Sequence, residues 1–269
     1  MILRILGAIT LISVISASLA AALYSSLAHP FSGESASTWF SAFFICEAIL
    51  AFGVFERRSP IFGPVFWKGK AGGRRVALTF DDGPNEPFTS QILDILKDRQ
   101  VRATFFVIGS NCRRFPGTLE RISQEGHEIG NHTWDHEVLP LKSSSRIEEG
   151  IRKTSDIIEK HTGRRPAFFR APHGWRNPWA NATSRRCGCI PVAWALGVWD
   201  TDHPGAEAIA CRTLEGVRDG SVVLLHDGRG IEDGADSSQL VEALPSIIDE
   251  INRRGFRMVA LSQMMEPVP

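Results

Sequence analysis

The sequence predicts an α/β fold whose parallel sheet is closed, or nearly closed, into a barrel, preceded by an apolar N-terminal region. Three observations carry this expectation. Seven short apolar runs alternate with stretches of helical spacing after residue 74, the pattern of repeated strand–helix units. Acid, imidazole and guanidinium side chains collect at the carboxyl ends of those runs, where parallel barrels carry their functional groups. Residues 5–55 carry only Glu34 and Glu47 as charged side chains, whereas the part after residue 73 has the mixed texture of a soluble domain.

A length of 269 residues fits one large domain or two small ones. Lys+Arg number 30 and so do Asp+Glu, which argues against a nucleic-acid binder, since such proteins carry a basic surplus. Gly and Pro are ordinary in number, so a disordered or collagen-like chain is excluded. Five cysteines without a Cys-x-x-Cys pair indicate neither a disulfide framework nor a zinc knuckle.

Between residues 5 and 33 the chain has no Asp, Glu, Lys or Arg, and the part from 5 to 24 is apolar enough to span a bilayer, which takes about 20 residues. Small residues at Ala20–Ala22 also fit a signal peptide. A second apolar stretch, 38–55, follows at once with one acid, Glu47, costly at mid-span unless it is paired. Together they predict a membrane anchor over 1–58, built as a two-helix hairpin. Residues 59–73, with Pro60, Pro64 and Gly72-Gly73, read as a linker, and 74–265 as the soluble domain.

In that domain strands are expected at 75–80, 103–108, 127–130, 167–170, 191–196, 221–225 and 257–260, and helices at 88–100, 117–124, 143–160, 178–187, 205–218 and 239–253. The helix over 143–160 is the plainest, with Ile147, Ile151, Ile157 and Ile158 on one side.

The first strand runs into Thr79-Phe80-Asp81-Asp82-Gly83-Pro84. Alone this is also the mark of a turn. The third runs into Asn131-His132-Thr133-Trp134-Asp135-His136, two imidazoles at i and i+4, a spacing that lets both face one metal. Phe169-Arg170-Ala171-Pro172-His173-Gly174 follows the fourth strand and Leu224-Leu225-His226-Asp227 the sixth. Each is weak by itself; in this order, at strand ends, they form a constellation.

From about residue 74 to 262 the chain resembles the polysaccharide deacetylases, carbohydrate esterases of the NodB homology domain. Their Thr-Phe-Asp-Asp-Gly, His-(Ser/Thr)-x-x-His, Arg-x-Pro-x-Gly and Leu-x-His motifs are complete at residues 79–83, 132–136, 170–174 and 224–226. The fourth family motif, an Asp and a Trp, is approximate: Trp199-Asp200-Thr201-Asp202 occupies its place without a following Trp.

The resemblance implies a distorted (β/α)7 barrel and a metal-dependent hydrolase that removes N-acetyl or O-acetyl groups from a carbohydrate. It implies a divalent metal on Asp82, His132 and His136, zinc above all, with cobalt, nickel and manganese also suited to such ligands. Asp81 is then the general base, Arg170 its partner, His226 the general acid, and Asp200 the carboxylate behind His226, with Asp202 as the alternative. Pro172, His173, Gly174, Trp175 and Leu224 would face the substrate. Trp134, Trp175 and Trp199 are candidates for sugar-stacking walls or for rim packing; His127 and Cys187 and Cys189 read as structural. Two other readings stand beside this one: a deacylase of a lipid-linked sugar or another small N-acyl substrate, and an inactive membrane-tethered glycan-binding domain. The intact acid and base speak against the second.

The expected location is a membrane, the inner membrane of a bacterium. Arg4 precedes the first span, residues 24–37 hold no Lys or Arg, and Arg57, Arg58, Lys68, Lys70, Arg74 and Arg75 follow the second. For a hairpin the positive-inside rule puts the catalytic domain in the cytoplasm; a single span with residues 38–55 along the interface would export it.

Overall fold

The protein is described here from a computed structural model covering residues 33–266, with side chains from residue 41 onward. It divides into two compact units, one ending at Phe52 and one beginning at Gly53. In the first lies most of helix α1, Gly33–Phe55, which leaves Phe44, Ile45, Ile49, Leu50 and Phe52 exposed. The expected span 5–24 lies outside the described residues, and 38–55 falls on α1. Among the described residues no helix is long and apolar enough to cross a membrane.

The second unit is a parallel α/β sheet. Its strands are β1 (Arg75–Asp81), β2 (Thr104–Val107), β3 (Glu128–Asn131), β4 (Phe168–Phe169), β5 (Ile190–Pro191), β6 (Leu196–Gly197), β7 (Val222–His226) and β8 (Arg257–Met258). They lie in the order β5-β4-β3-β2-β1-β7-β6, with β8 on the start of β1, and every pairing is parallel. The helices are α2 (Phe88–Asp98), α3 (Gly109–Arg114), α4 (Pro116–Gln124), α5 (Ser144–Thr162), α6 (Ala180–Arg186), α7 (Ala206–Gly216), α8 (Ser238–Arg253) and α9 (Leu261–Met265).

Strand alternation divides the core in two. Val76, Leu78 and Phe80 of β1, with Phe105, Val223 and Leu225, join the inner faces of α2, α4 and α8 in one large apolar cluster. Ala77, Phe106, Phe168 and Val222 point the other way and are plugged by Leu261 and Met264 of α9. Continuing that inner parity along each strand reaches Thr79 and Asp81, Arg170, and Leu224 and His226. The inner face is thus apolar at one end and polar at the other.

Local signals define the longest wall helix. The Ser143 hydroxyl accepts the Arg146 N–H at 3.2 Å, and α5 ends on Gly163 at φ 73°, whose N–H reaches Glu159 O. This is the Ser N-cap and left-handed glycine stop that helices favour.

The expected fifth strand, 191–196, is not one strand. Its first part, β5, ends one edge of the sheet and its second, β6, ends the other, and the chain between them changes ladder partners. Val192 N–H donates to Phe169 O, Ala193 N–H to Phe66 O at 2.7 Å, and Ala195 N–H to Val222 O at 2.9 Å. The gap between the edges is bridged by these few residues and by Phe66, whose N–H donates to Pro191 O. Residues 59–73, expected as a linker, therefore line this seam, and Lys68 forms a further bridge with Ser221. Helix α3 was also not foreseen: Gly-Ser-Asn-Cys-Arg-Arg carries no apolar period.

Candidate active site

The polar end of the barrel is built around Asp81 and Asp82. Neighbouring strand residues point to opposite faces, yet both carboxylates face His132 Nε2, at 3.8 Å and 3.3 Å, because Asp82 takes φ 77° and turns the chain at the end of β1. Gly83 permits the turn's close packing: a Cβ there would lie 1.9 Å from Asp227 Oδ2.

The two carboxylates have different partners. Asp81 Oδ1 accepts from Arg170 Nη1 at 2.6 Å, and the same nitrogen donates to Thr79 Oγ1 at 2.8 Å. Arg170 is wholly buried, with its guanidinium carbon 4.0 Å from the Phe106 ring centroid, and such a cation is tolerated inside because it is paired. Asp82 Oδ1 instead faces the Nε2 atoms of His132 at 3.3 Å and His136 at 3.2 Å, while its Oδ2 accepts the Gly230 N–H at 2.8 Å. Burial alone would raise the Asp82 carboxyl; the two imidazoles, when protonated, outweigh it and hold it well below the usual carboxylate range.

His132 Nδ1 lies 2.8 Å from Arg170 O. A carbonyl only accepts, so that nitrogen carries the proton, and in the neutral ring Nε2 turns a lone pair toward Asp82. Asp82 Oδ1 is buried and has no hydrogen-bond donor among the described residues. Ligand atoms of Asp82, His132 and His136 all lie within 4.8 Å of one another. Converging lone pairs around an orphaned buried oxygen fit a divalent cation held by two imidazoles and a carboxylate.

Opposite this cluster stands His226, at the end of β7 and paired in register with Asp81. Asp200 holds it through the ring nitrogen and the main chain. Burial would push the imidazole down, but Asp200 outweighs burial and raises it to about 9. Asp202, the alternative partner, makes no such contact among the described residues.

Of the expected substrate-facing residues, Pro172 and Gly174 are buried in a short 3-10 turn, His173 is exposed on it at φ 59°, and Trp175 is half-buried. Gly174, at φ 72°, is boxed in by the Trp194 ring, 2.8 Å from where a Cβ would sit. The His173 ring lies edge-to-face on His136 with centroids 4.6 Å apart. Leu224 is 7% exposed, on the same face of β7 as His226. Trp199 stands 64% exposed beside Asp200, whereas Trp134 is buried between Arg113 and Lys153. Positive φ recurs among these loops, at Asp82, Thr133, His136, His173 and Trp199; such strain gathers where surrounding structure fixes a site.

Sequence reasoning missed three supports. Asn111 Nδ2 donates to Asp82 O and Gly230 O, and Gly230 holds Asp82 through its backbone. Asp227 packs on Gly83 and accepts from Thr89 Oγ1 at 2.6 Å; burial lifts its carboxyl to about 7. Its place directly after His226 was the one available signal.

Residues 68–192 match the family model described as polysaccharide deacetylase. The chain is 36% identical over 208 residues to a peptidoglycan-N-acetylglucosamine deacetylase of Bacillus cereus, covering 76% of this chain and 93% of that protein. A chitooligosaccharide deacetylase of Bradyrhizobium is 36% identical over 201 residues, 72% of this chain and 92% of that one. Among solved structures, a peptidoglycan N-acetylglucosamine deacetylase in complex with 4-naphthalen-1-yl-N-oxidanyl-benzamide superposes with TM-score 0.71 at 34% identity, covering 75% of this chain and 92% of the other. Fold, motif order and similarity over nearly the full length of these relatives agree: the chain belongs to the polysaccharide deacetylase family.

Proposed function

We propose that the protein is a membrane-anchored, metal-dependent hydrolase that removes acetyl groups from an N-acetylated carbohydrate. The observation that carries this reading is the division of labour among buried groups. One carboxylate, Asp81, is held by Arg170, its neighbour Asp82 faces two imidazoles, and a third imidazole, His226, is raised by Asp200. A hydrolase needs one group to accept a proton and another to donate one.

Asp82, His132 and His136 would hold the cation, zinc first, with cobalt, nickel or manganese as alternatives. When bound, the cation supplies Lewis-acid polarisation of the acyl carbonyl and lowers the pKa of water toward about 7. The chain's own groups do the rest. Asp81, fixed by Arg170, accepts the proton of the attacking water. His226, kept protonated by Asp200, donates a proton to the departing amine nitrogen. The turn at Pro172–Gly174, with Trp175 and Leu224, shapes the wall against which the sugar lies.

Relatives named for peptidoglycan N-acetylglucosamine and for chitooligosaccharides support an aminosugar substrate. Exposed apolar side chains on α1 and the apolar residues before it support a bilayer anchor, which makes a lipid-linked sugar the second candidate substrate. Acetate release from peptidoglycan, chitooligosaccharide and an N-acetylated glycolipid, before and after metal removal, tests the reading. Release from none of them by metal-loaded protein would overturn it.

A further inference from the structure

The segment that joins α1 to the barrel touches the active-site turn as well as the seam. Val54 and Phe55 end α1, so their neighbourhood contains helix carbonyls without a partner of their own. Arg176, just after the substrate-facing turn, supplies one: its N–H donates to Val54 O at 3.1 Å, and its Nη2 donates to two carbonyls just beyond the helix, Glu56 O at 2.7 Å and Ser59 O at 3.3 Å. The Arg176 side chain is only 2% exposed, so these bonds are made away from water, where losing them is costly.

A second set of contacts runs alongside. Phe55 meets Trp175 edge-to-face with centroids 5.5 Å apart, Trp175 lies 4.9 Å from His173, and His173 lies 4.6 Å from His136. Arg57 closes the other side: its Nε donates to Trp194 O at 3.2 Å, and its Cβ lies 3.1 Å from where a Gly174 Cβ would be. Four rings thus connect the end of α1 to an imidazole of the Asp82 cluster. The turn between them sits at positive φ at both His173 and Gly174, a conformation that persists only when its surroundings impose it.

We infer that Phe55 is a positioning residue of the active site, setting the Trp175–His173 wall from outside the barrel. This rests on the reading above that the wall faces the sugar. Phe55 touches no reacting atom in this assignment; it acts through Trp175. Removing its ring frees the wall, so substrate binding weakens while the acid and base stay in place.

The test is a kinetic cycle on the full-length chain, using N-acetylated chitooligosaccharide as the probe. Phe55→Ala is expected to raise KM about three- to tenfold, the scale of one edge-to-face aromatic pair. kcat, bound metal and Tm should stay near wild type. Phe55→Tyr, which keeps the ring, should restore KM. The double variant with Trp175→Ala should bind no worse than Trp175→Ala alone, since the two act through one path. If Trp175→Ala raises KM while Phe55→Ala leaves it unchanged, or if the two effects simply add, the positioning role is overturned and the substrate wall survives. If Trp175→Ala itself leaves KM unchanged, the wall does not face the sugar and both readings fall. Phe55→Leu, which keeps apolar bulk without the ring, is judged by the same outcomes if Phe55→Ala does not accumulate.

Discussion

Asp200 grips His226 twice: its Oδ1 lies 2.8 Å from the ring Nδ1, and its Oδ2 accepts the His226 backbone N–H at 2.7 Å. One carboxylate therefore fixes both the main chain and the ring of the same residue. With Nδ1 protonated against Asp200, Nε2 is left as the atom that gains or loses the working proton.

This grip predicts a pH profile. His226 is raised from 6.5 to about 9, so its proton-donating form persists through neutrality and is lost as pH climbs through about 9. The stabilisation from the pair follows the same sign: full below 6.5 and lost as pH rises through about 9. Asp200→Asn removes the largest raising charge and leaves burial opposed only by the weaker pull of Asp82 and Asp81. The basic limb of the kcat profile should then move down by more than one pH unit, by about 1 unit for each 1.4 kcal/mol of lost interaction. An unmoved limb in a folded Asp200→Asn protein would mean that another group controls it.

The cluster of Asp82, His132 and His136 makes a simpler prediction. His132→Ala or His136→Ala takes one of three converging ligands away and should lose both bound metal and activity. Elemental analysis of the purified variants decides, and wild-type metal content in either one would remove that residue from the site.

Asp81 and Asp82 are expected to separate. Asp81→Asn should keep its metal and lose turnover on the order of a hundredfold or more, the scale of a general base. Asp82→Asn should weaken the metal instead. Identical behaviour in metal titration would refute this division. Arg170→Ala should behave differently again, because Asp81 would be left buried and unpaired at a stability cost of about 3–5 kcal/mol, read as a lower midpoint in denaturant.

Gly83 and Asp227 should show compensation. A methyl group at Gly83 overlaps the Asp227 carboxylate, and overpacking of this kind costs about 1–3 kcal/mol. Gly83→Ala should therefore lower Tm, and Asp227→Ala in the same chain should recover part of the loss. An additive double variant would show that the strain lies elsewhere.

Topology can be measured directly. If residues 1–58 form a hairpin membrane anchor, alkaline phosphatase fused behind Gly73 should be inactive, because that enzyme works only after export. High activity there would put the catalytic domain outside the cytoplasm. A fusion near Gly33 should be active in either case and serves as the control.

Much of the site could be read from the chain because its side chains are chemically distinctive and repeat at strand ends. His132 and His136 stand out by spacing, and Asp81 and Asp82 by adjacency. Gly230 could not be found this way: it reaches Asp82 through an N–H that nearly every residue carries, from 148 positions away. Asn111 was hidden in a helix too short and polar to leave a period. The split of residues 191–196 was hidden for a related reason. A strand run shows its apolar pattern but not its partners, and here the partners change from Phe169 to Phe66 to Val222 within four residues.

That short crossing is also a length gauge. β5 and β6 are pinned to opposite sheet edges, so the residues between them must span a fixed gap, and Asp200 follows β6 by three positions. Removing or adding one residue there would either open the seam or slip β6 by one, and a one-residue slip turns every side chain of a strand to its other face. The error would then pass through Asp200 to His226. The circumference of the barrel and the protonation of its imidazole acid are therefore set by the same few residues, and natural or designed variation in length should be tolerated far better after Asp202 than before Leu196.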